Sequence, residues 1–130
     1  MKWCVSSLLT VMGLAAATAP ARGQAPATAP VRFNRDIRPI LSNTCFVCHG
    51  PDNNLRKADL RLDREKDVLG DRDGHRIIVP GKPDQSELYR RITHANVRKR
   101  MPPAKHPHRL APAQIALIRR WIEEGGKYHG

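Results

Sequence analysis

A chain of 130 residues is one domain's length, and 23 Lys and Arg against 12 Asp and Glu give it a net charge of +11. Three cysteines are too few for the disulfide framework of a small stapled fold. Six aromatic residues promise only a thin apolar core, so a bound apolar group would help to complete it.

The chain starts with a minimal basic region at Lys2, an apolar run from Val5 to Ala17, and small residues around Ala19, Ala21 and Gly23. Residues 1–23 read as a secretory signal peptide cleaved near 21–23. The apolar run is shorter than the ~20 residues that a spanning helix needs. Its removal takes Cys4 and the two cations Lys2 and Arg22, leaving two cysteines and a net charge of +9. Export to the periplasm argues against nucleic acid as the partner of that charge. Acidic redox partner proteins or an anionic membrane surface fit better, and a merely solvated basic face is the alternative.

Residues 24–31 form an Ala/Pro-rich spacer, and the domain proper spans 32–130. Asn34 is a good helix cap ahead of Ile37, Ile40 and Leu41 at helical spacing, with Pro39 expected to tighten or bend the helix over 35–41. This helix delivers the chain into Cys45-Phe46-Val47-Cys48-His49. Two thiols three positions apart lie about one helical turn from each other, so both can reach the vinyl groups along one side of a porphyrin and form thioethers. The histidine that follows is then placed to ligate iron as the proximal ligand. Half a zinc site, or a thioredoxin-like redox pair, would use the same spacing but needs further ligands or a βαβ context, and neither is visible.

Gly50 to Asn54 is a turn cluster, Leu60 and Leu62 alternate with polar residues, and Asp63 is placed to cap a short helix through Leu69, stopped by Gly70. Asp71-Arg72-Asp73-Gly74 opens like a calcium loop but lacks the remaining ligands, so a surface turn is expected. Ile77 to Val79 should be extended and wall the pocket. Asp84 or Ser86 should cap a helix through Ile92, and residues 96–100 form a basic loop.

Met101 is the only methionine outside the leader, and Pro102 and Pro103 stiffen the loop that carries it. A thioether is a soft neutral ligand that raises a haem potential, so Met101 is the candidate distal iron ligand. His106 and His108 could hold a metal or serve a peroxidase, but they stand in a Pro-rich loop without carboxylates. His75, His94 and His129 are isolated. A final helix is expected over 112–124, with Pro112 at its first turn and Gly125-Gly126 at its end, bringing Trp121 against the N-terminal helix.

From Val31 to Tyr128 these motifs together resemble the planctomycete-type cytochrome c domain, a class I-like monohaem module. The carrying residues are Phe33 to Leu41, Cys45 to Asp52, Leu60 to Asp63, Val79 to Pro83, Ser86 to Leu88, Arg100 to Pro103, and Gln114 to Ile122. The resemblance implies a mainly α, small helical domain wrapped around one covalently attached haem c, with long irregular loops. It implies thioethers at Cys45 and Cys48, His49 as proximal and Met101 as distal iron ligand, and an electron carrier rather than an enzyme. A haem-based sensor with a labile sixth ligand is the competing expectation.

Overall fold

The computed structural model describes residues 29–130. The expected signal peptide and most of the spacer lie outside the described residues. The chain is helix-rich with one small two-stranded sheet. A π-helical turn, Phe33–Ile37, runs into α1 (Arg38–Thr44), then come α2 (Phe46–His49), α3 (Glu65–Leu69), β1 (Asp71–Arg72), β2 (His75–Arg76), a 3-10 turn Pro83–Gln85, α4 (Glu87–Ile92) and α5 (Pro112–Glu123).

The N-terminal helix starts differently from the sequence expectation, and Pro39 explains why. Asn34 does not cap it; Arg32 holds the cap position, and its N–H donates to the Asp36 carboxylate at 2.8 Å. The Arg38 N–H donates to the Phe33 carbonyl, five residues back, so the wide turn closes just before the proline. Pro39 then falls in the first turn of α1, where its missing N–H leaves no bond unmade. The helix continues past 41 to Thr44 and buries Ile37, Ile40, Leu41 and Thr44 on one face.

Two other caps differ for a shared reason: each side chain finds a better partner in the folded chain. Asp63 pairs with Arg61 instead of capping α3, which starts two residues later at Glu65. Ser86 holds the cap position of α4, but its buried hydroxyl accepts from the Val79 N–H at 2.9 Å and donates to the Lys82 carbonyl at 2.9 Å. It ties the irregular segment before α4 to the helix. The turn at 71–74 is present, closed by a short antiparallel pairing of Asp71 with Arg76 and Arg72 with His75.

The last helix agrees with its sequence pattern to within a residue. Pro112 sits in its first turn, and the Gln114 side chain accepts from the Ala111 N–H at 2.9 Å. Its end closes on both glycines, with Gly125 N–H donating to the Ile122 carbonyl and Gly126 N–H to the Trp121 carbonyl. Gly125 and Gly126 adopt φ of +109° and +65°, a region costly for a side chain. At Gly126 a Cβ would also stand 2.7 Å from Ile78 Cγ2.

The core gathers Phe33, Ile37 and Leu41, the middle residues Leu62, Val68, Ile77 and Ile78, then Leu88 and Ile92 of α4, and Ile118, Trp121 and Ile122 of α5. The helix α5 crosses the N-terminal turn through aromatic rings: Trp121 lies 5.6 Å from Phe33 and 5.5 Å from Tyr128, and Tyr128 stacks on Phe33 at 3.9 Å. Tyr128 also donates its hydroxyl to the Leu62 carbonyl at 2.6 Å. Burial, reinforced by the charge of Asp63, pushes its phenol far up, so it stays a donor at physiological pH. Among the described residues no helix is long and apolar enough to cross a membrane.

Candidate functional site

The helix α1 ends at Cys45. Its N–H still bonds the Leu41 carbonyl at 2.7 Å, but its φ of −123° breaks the spiral. Its carbonyl then accepts from Cys48 at 3.1 Å and from His49 at 2.8 Å, and these bonds hold the single turn α2. Cys45, Cys48 and His49 are thus one unit hung from a helix whose inner face, Ile40, Leu41 and Thr44, is buried. The Thr44 hydroxyl donates to the Ile40 carbonyl at 2.7 Å and lies 3.3 Å from Cys45 Sγ. Burial pushes the Cys45 thiol up, the neighbouring Cys48 adds to this, and the Thr44 hydroxyl opposes it. Both thiols are half-buried and neither is in a disulfide.

His49 is held by the loop that follows. Its Nδ1 lies 3.2 Å from the Lys57 carbonyl oxygen. Burial lowers the proton affinity of the ring, partly offset by that carbonyl, so the neutral imidazole is favoured. A neutral ring that donates through Nδ1–H keeps its Nε2 lone pair for a metal. The carbonyl is itself fixed, because the Lys57 N–H donates to Cys48 O at 2.7 Å and the Leu62 N–H donates to His49 O at 2.9 Å.

Arg56 organises the same loop. Its guanidinium, on a side chain 13% exposed, donates to the Gly50 and Pro51 carbonyls at 3.1 Å each and to the Asn53 side chain. A five-donor planar fork can bind several carbonyls at once, which a lysine could not reproduce. Nothing local in the sequence marks Arg56 as an internal tie rather than a solvated charge.

Gly50 lets the chain leave the motif. A Cβ built there would stand 2.2 Å from the Phe46 carbonyl oxygen, inside α2 itself. Gly50→Ala must therefore displace backbone rather than a side-chain tip, and is expected to cost about 1–3 kcal/mol. Chemical denaturation of the variant beside the parent protein checks this; equal midpoints would mean that α2 yields freely.

Met101 lies on the loop between α4 and α5, half-buried, and its N–H donates to the Arg91 carbonyl at 2.9 Å. Arg100 braces the loop from inside, donating to the His94 carbonyl at 2.6 Å and the Ala95 carbonyl at 3.0 Å. No hydrogen bond among the described residues joins this loop to the 45–49 turn, so the structure presents two separately anchored segments. Val47 and Leu55 beside the first and Val97 beside the second are exposed. His106 Nδ1 is occupied within its own loop, 2.8 Å from the His108 carbonyl and 3.1 Å from the His108 N–H. His94 Nδ1 accepts from the Asn96 N–H at 3.0 Å.

Among the described residues no three His, Cys, Asp or Glu side chains converge as a metal-holding group. A zinc site needs four donors around one point, whereas a porphyrin needs thiols at its edge and an imidazole at its centre. The donor chemistry of 45–49 therefore fits haem c. Residues 45–105, from the first cysteine to just beyond the two prolines, match the family described as Planctomycete cytochrome C. This stretch is a planctomycete-type cytochrome c domain. Neither the curated proteins nor the solved structures contain a significant match to the chain. Cytochrome c domains carry covalently bound haem c, usually act as electron carriers and are typically exported.

Proposed function

We propose that the protein is an exported monohaem carrier that passes single electrons between protein partners. Cys45 and Cys48 hold the haem as thioethers, His49 Nε2 is the proximal ligand, and Met101 is the distal ligand. One C-x-x-C-H motif sets one haem per chain. When bound, the haem supplies a reversible one-electron iron couple.

The observation that carries this reading is the His49 Nδ1 contact with the Lys57 carbonyl. It selects the tautomer whose Nε2 is free and resists rotation of the ring. The tie of Lys57 to Cys48 makes thiol and imidazole orientation a single structural decision. Arg56 and Arg100 stiffen the two loops that would flank the haem, and a rigid surround keeps reorganisation small when the charge on the site changes. The exposed Val47 and Leu55 and the half-buried Leu60 would supply apolar surface to it. The leader at 1–23 would deliver the chain to the periplasm, where these thiols are modified.

Expression with a c-type maturation system, followed by haem staining of a denaturing gel and an absorption spectrum, tests the reading. Haem that survives denaturation with a low-spin six-coordinate spectrum is the expected result. Covalent haem with rapid carbon monoxide binding by the reduced protein would instead make it a small-ligand binder.

A further inference from the structure

The turn that carries the Lys57 carbonyl is held in a conformation that its residues do not favour. Lys57 O accepts from the Leu60 N–H at 3.2 Å and lies 3.2 Å from His49 Nδ1, so one oxygen both closes a tight turn and orients the imidazole. The two central residues of that turn, Ala58 and Asp59, have φ of +53° and +45°. Turns with both central residues left-handed are built from Gly, Asn and Asp. Asp59 fits that rule, whereas the Cβ of Ala58 is strained there. Such a conformation persists only where surrounding structure dictates it.

Arg72 supplies that structure. One terminal nitrogen of its guanidinium, which carries two hydrogens, donates to the Ala58 carbonyl and to the Asp59 carbonyl at 3.2 Å each. Arg72 makes no ion pair among the described residues, so backbone oxygens are its partners. The side chain is presented by a hairpin that is itself fixed. Asp71 pairs with Arg76 and its carboxylate accepts from the Gly74 N–H at 2.8 Å, and beyond the hairpin the Ile78 N–H donates to the Val68 carbonyl at 2.9 Å within the core.

We propose that Arg72 is a positioning residue for His49: its grip on the Ala58 and Asp59 carbonyls keeps the Lys57 carbonyl on Nδ1 and thereby lowers the reduction potential of the haem iron. The proposal rests on the electron-carrier reading and adds to it a residue, outside the C-x-x-C-H motif, that tunes the couple. The peptide joining Lys57 to Ala58 pivots on the Lys57 ψ and the Ala58 φ, so relaxation of Ala58 to negative φ turns the carbonyl away from the ring. A carbonyl that accepts from Nδ1–H makes the imidazole a stronger donor to a metal, and a stronger donor favours Fe(III). Loss of Arg72 therefore raises the potential. Loss of its positive charge alone acts the other way, because a nearby cation disfavours Fe(III). The sign of the shift separates positioning from charge.

The haem-loaded protein is compared with Arg72→Leu and with Arg72→Leu combined with Ala58→Gly, since glycine holds positive φ without strain. Potentiometric titration in ~1 M salt, where the Debye length is ~3 Å, reads the iron; NMR of the reduced protein reads exchange of His49 Nδ1–H with solvent. Arg72→Leu is expected to weaken the preference for Fe(III) by ~3-fold, a rise of ~28 mV at about 59 mV per tenfold. Its Nδ1–H is expected to exchange at least ~10-fold faster, with the methionine-to-iron absorption unchanged. The double variant is expected to return both readings to those of the parent. Arg72→Lys keeps the charge and loses the fixed fork; it is expected to shift both readings in the same direction, and it stands in for Arg72→Leu if that variant does not fold. A fall in potential, or an unchanged potential with unchanged exchange, would overturn the positioning role. A double variant that behaves like Arg72→Leu would overturn it as well, because turn strain is then not what Arg72 opposes. A parent that takes up no covalent haem overturns the carrier reading itself, whereas a haem-loaded parent whose potential ignores Arg72 overturns the positioning role alone.

Discussion

Trp121→Ala is expected to remove about 3–5 kcal/mol of folding stability, a large share of the ~5–15 kcal/mol that holds a domain of this size together. Trp121 is 1% exposed. It is the contact through which α5 meets the N-terminal turn, with Phe33 at 5.6 Å and Tyr128 at 5.5 Å. Its indole N–H donates to the Lys127 carbonyl at 2.9 Å, fastening the C-terminal segment over the rings. Truncation leaves a cavity between two helices that cannot both move inward, because α5 is also fixed by Ile118 and Ile122 in the same core. Trp121→Phe keeps an aromatic surface and gives up the N–H bond, so a smaller loss is expected, with about 1 kcal/mol from the bond itself. Urea unfolding followed by circular dichroism measures both. An Ala variant within ~1 kcal/mol of the parent would show that the crossing is not a principal source of stability.

The parts of the fold legible in the sequence are those where local signals and tertiary packing agree. The last helix has a proline at its start, apolar residues at helical spacing and two glycines at its end, and it forms as those signals dictate. The turn at 71–74 and the basic loop before Met101 are also where composition puts them. Legibility ends where a side chain chooses between a local and a distant partner. Asp63 and Ser86 have the chemistry of helix caps, but Arg61 and the Val79 and Lys82 backbone outcompete that use. Pro39 signals a disturbed helix without revealing that a π turn will absorb it.

The same limit applies at the candidate site. The C-x-x-C-H spacing can be read without a structure, and so can the one methionine that lies outside residues 1–23. The Lys57 carbonyl that orients His49 cannot, since a backbone oxygen has no sequence signature. Arg56, Arg72 and Arg100 all look like surface charge, yet each donates to backbone carbonyls across a loop. Tyr128 stands beyond the last predicted element, and only its stacking on Phe33 shows that the end of the chain belongs to the core.

Met101→Ala is expected to leave the domain folded and to change the haem-loaded protein profoundly. The loop does not depend on the thioether for its shape: the Met101 N–H bond to Arg91 is made by backbone, and Arg100 braces the loop through His94 and Ala95. With Met101 as the distal ligand, its removal deletes a soft donor that favours Fe(II). Axial ligands shift haem potentials across a range of ~0.8 V, and a drop on the order of 0.1 V or more is expected here. The ferric protein should lose its methionine-to-iron absorption, and the reduced protein should bind carbon monoxide readily. Met101→His restores a sixth ligand of harder character, so it should recover the low-spin spectrum without recovering the potential. Absorption spectra and potentiometric titration of the two variants separate a ligand from a filler. If Met101→Ala keeps both the absorption band and the potential of the parent, Met101 merely packs the loop. Iron would then take its sixth ligand elsewhere, with His94, His106 and His108 the nearest donors in sequence. His94 and His106 could serve only by releasing the Nδ1 contacts they now make within their own loops or by turning Nε2 toward the iron.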